Sequence, residues 1–216
     1  MENLLFSDLS HLWLFFVLVL GIIALPGMDM AFVLGSTLVD GRRGGAAALA
    51  GIVAGGVAHT VMAALGVGLM LQAVPALFTL MLVGGALYLG WIGWSLVRGA
   101  SALGEVGASR SRPLAATFQQ GLFTCLLNPK AYLFMVAVFP QFARPEHGPM
   151  LAQAVAMGTI IAATQVAVYG AVVFGADRAR AFLHGSGRAQ VFAGRTVGLV
   201  LMGGAAWMLW QGLRAP

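Results

Sequence analysis

The sequence contains very few charged residues. Only 9% of its 216 residues are Asp, Glu, Lys or Arg, whereas 60% are hydrophobic, and the mean hydropathy is +0.90. About a quarter of the residues in soluble domains are charged, so this composition excludes an ordinary soluble domain. It predicts a protein that crosses the lipid bilayer several times.

Cysteine is also scarce. Cys125 is the only one in the chain, which excludes an intrachain disulfide, a dithiol redox pair and a cysteine-based metal cluster. We interpret it as a small buried packing residue. The sequence has no paired-carboxylate site, no Ser-His-Asp pattern and no phosphate-binding glycine loop, and its four histidines are dispersed. We therefore expect no enzymatic activity, no cofactor and no metal site.

The basic residues are scattered. The net charge is +5 and the pI is near 10.4, yet the twelve Lys and Arg lie in several short loops and form no single basic face, so we expect no nucleic-acid partner. The start of the chain carries Glu2 and Asp8, has no basic segment, and is followed by a poor cleavage site at Ala24-Leu25-Pro26. We therefore expect the first apolar run to remain as a membrane span.

The apolar run from Leu114 to Phe142 contains a helix breaker and a cation near its middle. Lys130 is its only formal charge and directly follows Asn128 and Pro129. Proline lacks an N–H group and disfavours helix at the preceding residue, while Asn is a favoured N-cap and Pro a favoured first helical residue. We predict a broken helix whose positive end lies at mid-membrane depth, as in many secondary transporters. The alternative is a proline kink that neighbouring helices satisfy.

Six apolar segments are long enough to span a membrane, at about 9–37, 44–71, 76–97, 114–142, 150–175 and 196–213. The first is interrupted by Pro26-Gly27 and Asp29, where we predict a second break. A turn is predicted at 72–75, a polar loop at 98–113 and a basic loop at 177–195. Three loops carry Arg42, Arg43, Arg98, Arg110, Arg112, Arg178, Arg180, Arg188 and Arg195, against Arg144 and Arg214 on the opposite side. The positive-inside rule then places both termini in the periplasm.

The two halves of the chain contain a repeated pattern. Gly84-Gly85-Ala86, followed by Trp91 and Gly93, recurs 119 residues later as Gly203-Gly204-Ala205, followed by Trp210 and Gly212, and the two prolines of the breaks are 103 residues apart. We predict one all-α transmembrane domain, an inverted 3+3 repeat of six helices with helices 1 and 4 broken. Its repeats cover about 9–97 and 114–213. Chance similarity of glycine-rich segments is the alternative.

Asp29 and Lys130 are the only formally charged side chains that these spans place deep in the membrane. Each would cost several kcal/mol there if isolated, so we expect either a direct pair or a zwitterionic substrate between them. A pair without any substrate role is the alternative.

Polar side chains on three other segments could face the same site. His59 shares a helix face with Gly51 and Gly55, a pair typical of helix packing, and with a reference pKa near 6.5 it could relay protons or simply bond a neighbour. Polar stripes comprise Thr117, Gln120, Thr124 and Asn128, and then Gln165 and Tyr169; such stripes either join helices or line a hydrated cavity. The candidate substrate-binding residues are Asp29, Asn128, Lys130, Gln120, Gln165 and Tyr169. Proton-coupling candidates are Asp29 and His59, and the helix-break residues are Pro26, Gly27 and Pro129.

Several of these motifs resemble the signature positions of the LysE/RhtB family of amino-acid exporters: Pro26-Gly27-Met28-Asp29, Gly41-Arg42-Arg43, His59, Gly121, Asn128-Pro129-Lys130-Ala131 and Pro140-Gln141-Phe142. The resemblance covers nearly the whole chain, and the Asn-Pro-Lys-Ala block with Pro-Gln-Phe is its specific part. Met28 stands where a second proline is common. The resemblance implies a bacterial inner-membrane protein that exports amino acids or close derivatives, is driven by the proton gradient and often forms a homo-oligomer.

A cationic amino acid would need a second acidic partner, and the nearest one, Asp177, lies at the end of the fifth span. We therefore favour neutral amino acids or compounds like homoserine lactone. Two other classes of protein are alternatives to an exporter. One is a membrane thiol-redox or metal-transport relative with a similar inverted repeat, and the other is a non-transporting scaffold. The lone Cys125 and the lack of a His or acidic cluster argue against the first. A scaffold would not need Asp29 and Lys130 within the membrane.

Overall fold

The structure is a computed structural model that describes residues 9–66, 75–103, 112–144, 147–183 and 187–212. Within these ranges the chain forms eight α-helices: α1 (Leu9–Ala24), α2 (Met28–Ala64), α3 (Pro75–Leu103), α4 (Leu114–Leu126), α5 (Pro129–Ala137), α6 (Phe139–Phe142), α7 (Met150–Leu183) and α8 (Gly187–Gly212). The predicted all-helical class is confirmed for the described residues.

Both predicted helix breaks are present. The first separates α1 from α2 at residues 25–27, and the second separates α4 from α5 at residues 127–128. The segment α4 is bent by 52° relative to the continuation from Pro129 to Phe142. By length and hydropathy, two of the described helices could cross a membrane, at Met28–Ala64 and Met150–Arg180, or three if this bent pair counts as one span.

Several predicted helix ends were wrong. The loop expected around Gly41 is reduced to that residue, which has a φ of 71° where two helical stretches of α2 join. Helix α3 continues six residues beyond 97 to Leu103, α7 continues beyond Asp177 to Leu183, and α8 begins at Gly187, not at residue 196. Hydropathy marks where an apolar segment ends, and charged residues beyond that point remain good helix formers. Of the predicted turn at 72–75, Pro75 begins α3 and the rest lies outside the described residues, as does most of the predicted loop after residue 103.

Helix α2 lies at the centre and packs against α4 and α7. Glycines permit this close approach: a Cβ atom at Gly51 would meet the Phe118 carbonyl, and one at Gly121 would meet the Ala48 carbonyl. A Cβ atom at Gly55 would lie 2.6 Å from the Cβ atom of Cys125. The packing interpretation of the glycine pair in α2 and of the cysteine is therefore confirmed.

Helices α3 and α8 form a second closely packed pair. A Cβ atom at Gly93 would lie 2.6 Å from the Gly198 oxygen, and one at Gly198 would lie 2.5 Å from the Gly93 oxygen. The contact is reciprocal. The outer faces of these helices carry exposed tryptophans such as Trp91 and Trp210, a surface that suits a lipid environment.

Candidate functional site

The first break is held together by a side chain from the second. Pro26 lacks the N–H group that would bond the Ile22 carbonyl in a continuous helix. Lys130 supplies the missing donor, because its Nζ atom donates to the Ile22 and Leu25 oxygens, each at 2.9 Å. The ammonium group thus replaces the hydrogen bond that the proline removes.

At the second break, a side chain from α2 likewise replaces the hydrogen bond that the proline removes. Pro129 leaves the Cys125 carbonyl without its helical donor. The Asn128 N–H donates to that oxygen at 3.0 Å, and His59 Nε2 lies 3.0 Å from it. Since a carbonyl only accepts, Nε2 carries a proton in this bond. The His59 ring also packs edge-on against Tyr132, with ring centroids 4.7 Å apart, so its position is fixed on two sides.

Asn128 is the N-cap of α5, as predicted. Its Oδ1 atom accepts the Lys130 N–H at 3.0 Å, and its φ and ψ of −80° and 109° are those of an extended residue before a helix. The side chain is only 2% exposed. Its Nδ2 atom makes no hydrogen bond within 3.5 Å in the described ranges, although the Asn128 side chain lies close enough to Asp29 to interact with its carboxylate.

Asp29 lies in the first turn of α2, where a negative charge interacts favourably with the helix dipole. It is 5% exposed and adjacent to Asn128, yet its Oδ1 atom bonds to none of the described residues. No ion pair within 4 Å joins it to Lys130, although both belong to the described part of the chain. The direct ion pair between Asp29 and Lys130, one of the two arrangements expected from the sequence, is therefore not formed.

A small cavity connects these groups with α7. It has a volume of about 50 Å³, room for a few water molecules. The predicted residues that line it are Asp29, His59, Asn128, Lys130, Gln165 and Tyr169. Gln165 is 5% exposed, and its Oε1 atom is a further buried acceptor without a partner in the described structure. Two acceptors and one donor are thus left unpaired, which suits a polar ligand or ordered water.

Gln120 lies elsewhere. Its Oε1 atom accepts a hydrogen bond from Arg112 at 3.4 Å, and Arg112 forms a salt bridge of 2.9 Å with the largely buried Asp40. Thr124, the next member of the predicted polar stripe, donates back to the Gln120 carbonyl at 2.7 Å. Of this stripe only Asn128 lines the small cavity; Gln120 joins α4 to Arg112, and Thr124 bonds within α4.

A larger cavity of about 500 Å³ lies beside the small one, and Asn128 and Lys130 line both. Its other walls come from the first break, the starts of α2 and α5, and parts of α3 and α8: Pro26, Gly27, Met28, Met30, Ala31, Leu34, Leu89, Pro129, Val200, Leu201, Gly204 and Trp207. Sequence reasoning missed this cavity. Apolar residues on apolar segments carry no signal that separates a cavity wall from a lipid-facing surface.

The fold and this site define an all-helical membrane protein in which two interrupted helices meet at a buried polar cavity. The family model described as LysE type translocator matches residues 20–212, so the chain belongs to that family. The family resemblance of the sequence motifs is confirmed.

The chain is similar to several curated efflux proteins. It is 29% identical to the homoserine/homoserine lactone efflux protein of Salmonella typhi over 80% of this chain and 84% of that one. It is 36% identical to the threonine efflux protein of Salmonella typhi over 63% and 70% of the two chains, and 31% identical to the leucine efflux protein of Salmonella choleraesuis over 60% and 62%. No solved structure matches the chain.

Proposed function

We propose that this protein is a secondary transporter that exports neutral amino acids, or close derivatives such as homoserine lactone, across the bacterial inner membrane. Membership of the LysE type translocator family and similarity to homoserine, threonine and leucine efflux proteins support amino-acid export. The observation that carries the proposal is the meeting of Asp29 and Lys130 at two helix N-termini without an ion pair between them.

A zwitterion fits the groups left unpaired at this site. We assign the substrate ammonium to Asp29 Oδ1 and Gln165 Oε1, the buried acceptors of the small cavity. The substrate carboxylate would lie at the N-terminus of α5, close to Asn128 Nδ2 and the Lys130 ammonium. An ammonium group has three donors, and Lys130 uses two of them for the carbonyls of the first break.

Coupling to the proton gradient is assigned first to Asp29. Its carboxylate lies in no ion pair within the described structure, so the substrate ammonium and a proton are its two proposed alternative partners. His59 is the second candidate. Its bond to the Cys125 carbonyl favours a positioning role for that ring over proton relay.

We further propose the inverted 3+3 repeat of six spans, with both termini in the periplasm. Each half contains one break at a proline, and α3 and α8, which carry the repeated Gly-Gly-Ala and Trp pattern, pack closely against each other. The nine-to-two distribution of arginines between the two sets of segments that connect the predicted spans supports the orientation.

The proposal is tested by export in cells that express the protein or the Asp29→Asn variant, which keeps the shape and removes the charge. We expect the wild type to raise tolerance to neutral amino acids and their toxic analogues, but not to lysine or arginine. The variant should insert normally and lose this export. Wild-type export with unchanged pH dependence from stably inserted Asp29→Asn would show that Asp29 is neither the amine ligand nor the proton carrier.

A further inference from the structure

We infer that the cavity of about 500 Å³ receives the side chain of the transported amino acid and that it selects apolar side chains of leucine size or larger. This inference rests on the proposed function, because it assumes that the substrate is an amino acid held by its ammonium and carboxylate groups.

The position of Lys130 indicates where the substrate side chain would lie. Lys130 and Asn128 line both cavities and so form part of the wall between them. The small cavity, at about 50 Å³, holds an ammonium group but no complete amino acid. All substituents of an amino acid start from one carbon atom. A substrate with its ammonium directed to Asp29 and its carboxylate at Lys130 therefore has only the larger cavity for its side chain.

The residues that line the larger cavity indicate which side chains it would accept. Away from the wall at Asn128 and Lys130, they consist of aliphatic, methionine and proline side chains, two glycines and the indole of Trp207. A hydroxyl group placed there would lose its hydrogen bonds to water, whereas each additional methylene group would be buried. Apolar pockets discriminate by about 10- to 200-fold for one methylene group. The cavity also lies within the usual volume range of small-molecule sites, which leaves room for leucine or phenylalanine.

A lipid acyl chain is the competing occupant, since Val200 and Trp207 at the cavity edge are 60% and 58% exposed. The location of the cavity favours a substrate side chain, because its inner end is formed by both helix breaks and by the Lys130 ammonium. A bound acyl chain would affect export of all amino acids alike. A substrate pocket would affect them according to side-chain size.

A larger side chain at position 204 can be used to fill this cavity. A Cβ atom there would lie 3.9 Å from the nearest heavy atom outside its own helix, Leu89 Cδ2, which is ordinary van der Waals contact. Gly204→Leu should therefore place its side chain in the cavity without disturbing α8. Gly203→Leu is the matched control, because both glycines are exposed, but Gly203 does not line the cavity and a Cβ atom there would meet nothing within 4 Å.

The experiment measures efflux of alanine, threonine, leucine and phenylalanine from preloaded cells that express the wild type or either variant. We expect the wild type to export leucine and phenylalanine faster than alanine and threonine. Gly204→Leu should lower the leucine-to-alanine and phenylalanine-to-alanine export ratios at least ten-fold. Gly203→Leu should leave both ratios within two-fold of the wild type.

Three results would overturn the inference. Preferential wild-type export of alanine or threonine would contradict apolar selection and leave the proposed function intact. An equal loss of all four substrates in Gly204→Leu would point to a lipid or a purely structural cavity, again with amino-acid export intact. Export of no amino acid by the wild type would overturn the proposed function itself, and the inference with it.

Discussion

The two helix breaks use the same device, a proline whose missing hydrogen bond is replaced by a side chain from another helix, but they differ in what supports them. The second break has its own N-cap, Asn128, and a firmly packed partner in His59. The first break has Gly27 at its N-cap position, which provides no side-chain cap, and depends on Lys130 from across the site. The second break therefore has support from its own N-cap and from α2, whereas the first depends on Lys130 of the second.

This difference gives Lys130 two tasks that compete. The same ammonium group bonds the carbonyls of the first break and is proposed to bind the substrate carboxylate. A substrate that draws Lys130 toward itself weakens the bonds to Ile22 and Leu25. If the proposed binding mode holds, we expect substrate binding at the second break to loosen the first.

Substitution of Lys130 should have the largest effect, since it acts on both breaks. In Lys130→Met the partly buried Ile22 carbonyl loses its charged donor, at a cost of about 1–3 kcal/mol, and the site loses its cation. We expect export at background level and a lower midpoint of thermal unfolding in detergent. Lys130→Arg is the control, because it keeps the charge and the donors and should recover part of the stability. Wild-type export by Lys130→Met would show that neither break nor substrate needs this ammonium.

The sequence was sufficient to predict the breaks because proline and an N-cap act locally. Pro129 removes a hydrogen bond four residues back, and Asn128 caps a helix that begins at the next residue. The same local reasoning could not identify the side chains that replace these hydrogen bonds. Lys130 lies 108 residues from Ile22, and His59 lies 66 residues from Cys125. No local pattern pairs residues at such separations.

Local sequence patterns were equally limited in predicting the candidate site. Polar residues within apolar segments are conspicuous, and so Asp29, Gln165 and Tyr169 could be selected and indeed line one cavity. Gln120 was selected by the same criterion, but its partner Arg112 precedes α4, beyond the apolar segment that was searched for a site. The larger cavity depends on how α3 and α8 pack, which composition does not specify.

Asn128→Ala should have an intermediate effect, since it removes the cap of the break that has other support. Loss of an N-cap typically costs about 1 kcal/mol, so the protein should insert and remain folded. Export should fall about ten-fold because Oδ1 no longer fixes the first turn of α5 and Nδ2 is lost from the site. Asn128→Ser keeps a capping oxygen and separates the two contributions.

Full recovery in Asn128→Ser would assign the loss to the cap alone. Export as low as that of Asn128→Ala would assign it to Nδ2, the proposed substrate donor. Wild-type export by Asn128→Ala itself would contradict both roles and remove the main feature that distinguishes the second break from the first.

Gly27→Ala should have the smallest effect, and it tests whether the first break depends on Lys130 alone. The φ of −166° at Gly27 is extended backbone that any residue adopts, so alanine introduces no backbone strain. Its Cβ atom would, however, lie 3.1 Å from Lys130 Nζ and displace the ammonium by a few tenths of an ångström. We expect export to fall two- to five-fold, with little change in the unfolding midpoint, because the flexible lysine side chain can adjust. Gly21→Ala in α1 is the control, since a Cβ atom there meets nothing within 4 Å, and it should export like the wild type. If Gly27→Ala lost export as completely as Lys130→Met, the first break would require glycine for a reason other than the approach of Lys130, and its dependence on the second break would no longer explain the difference between the two.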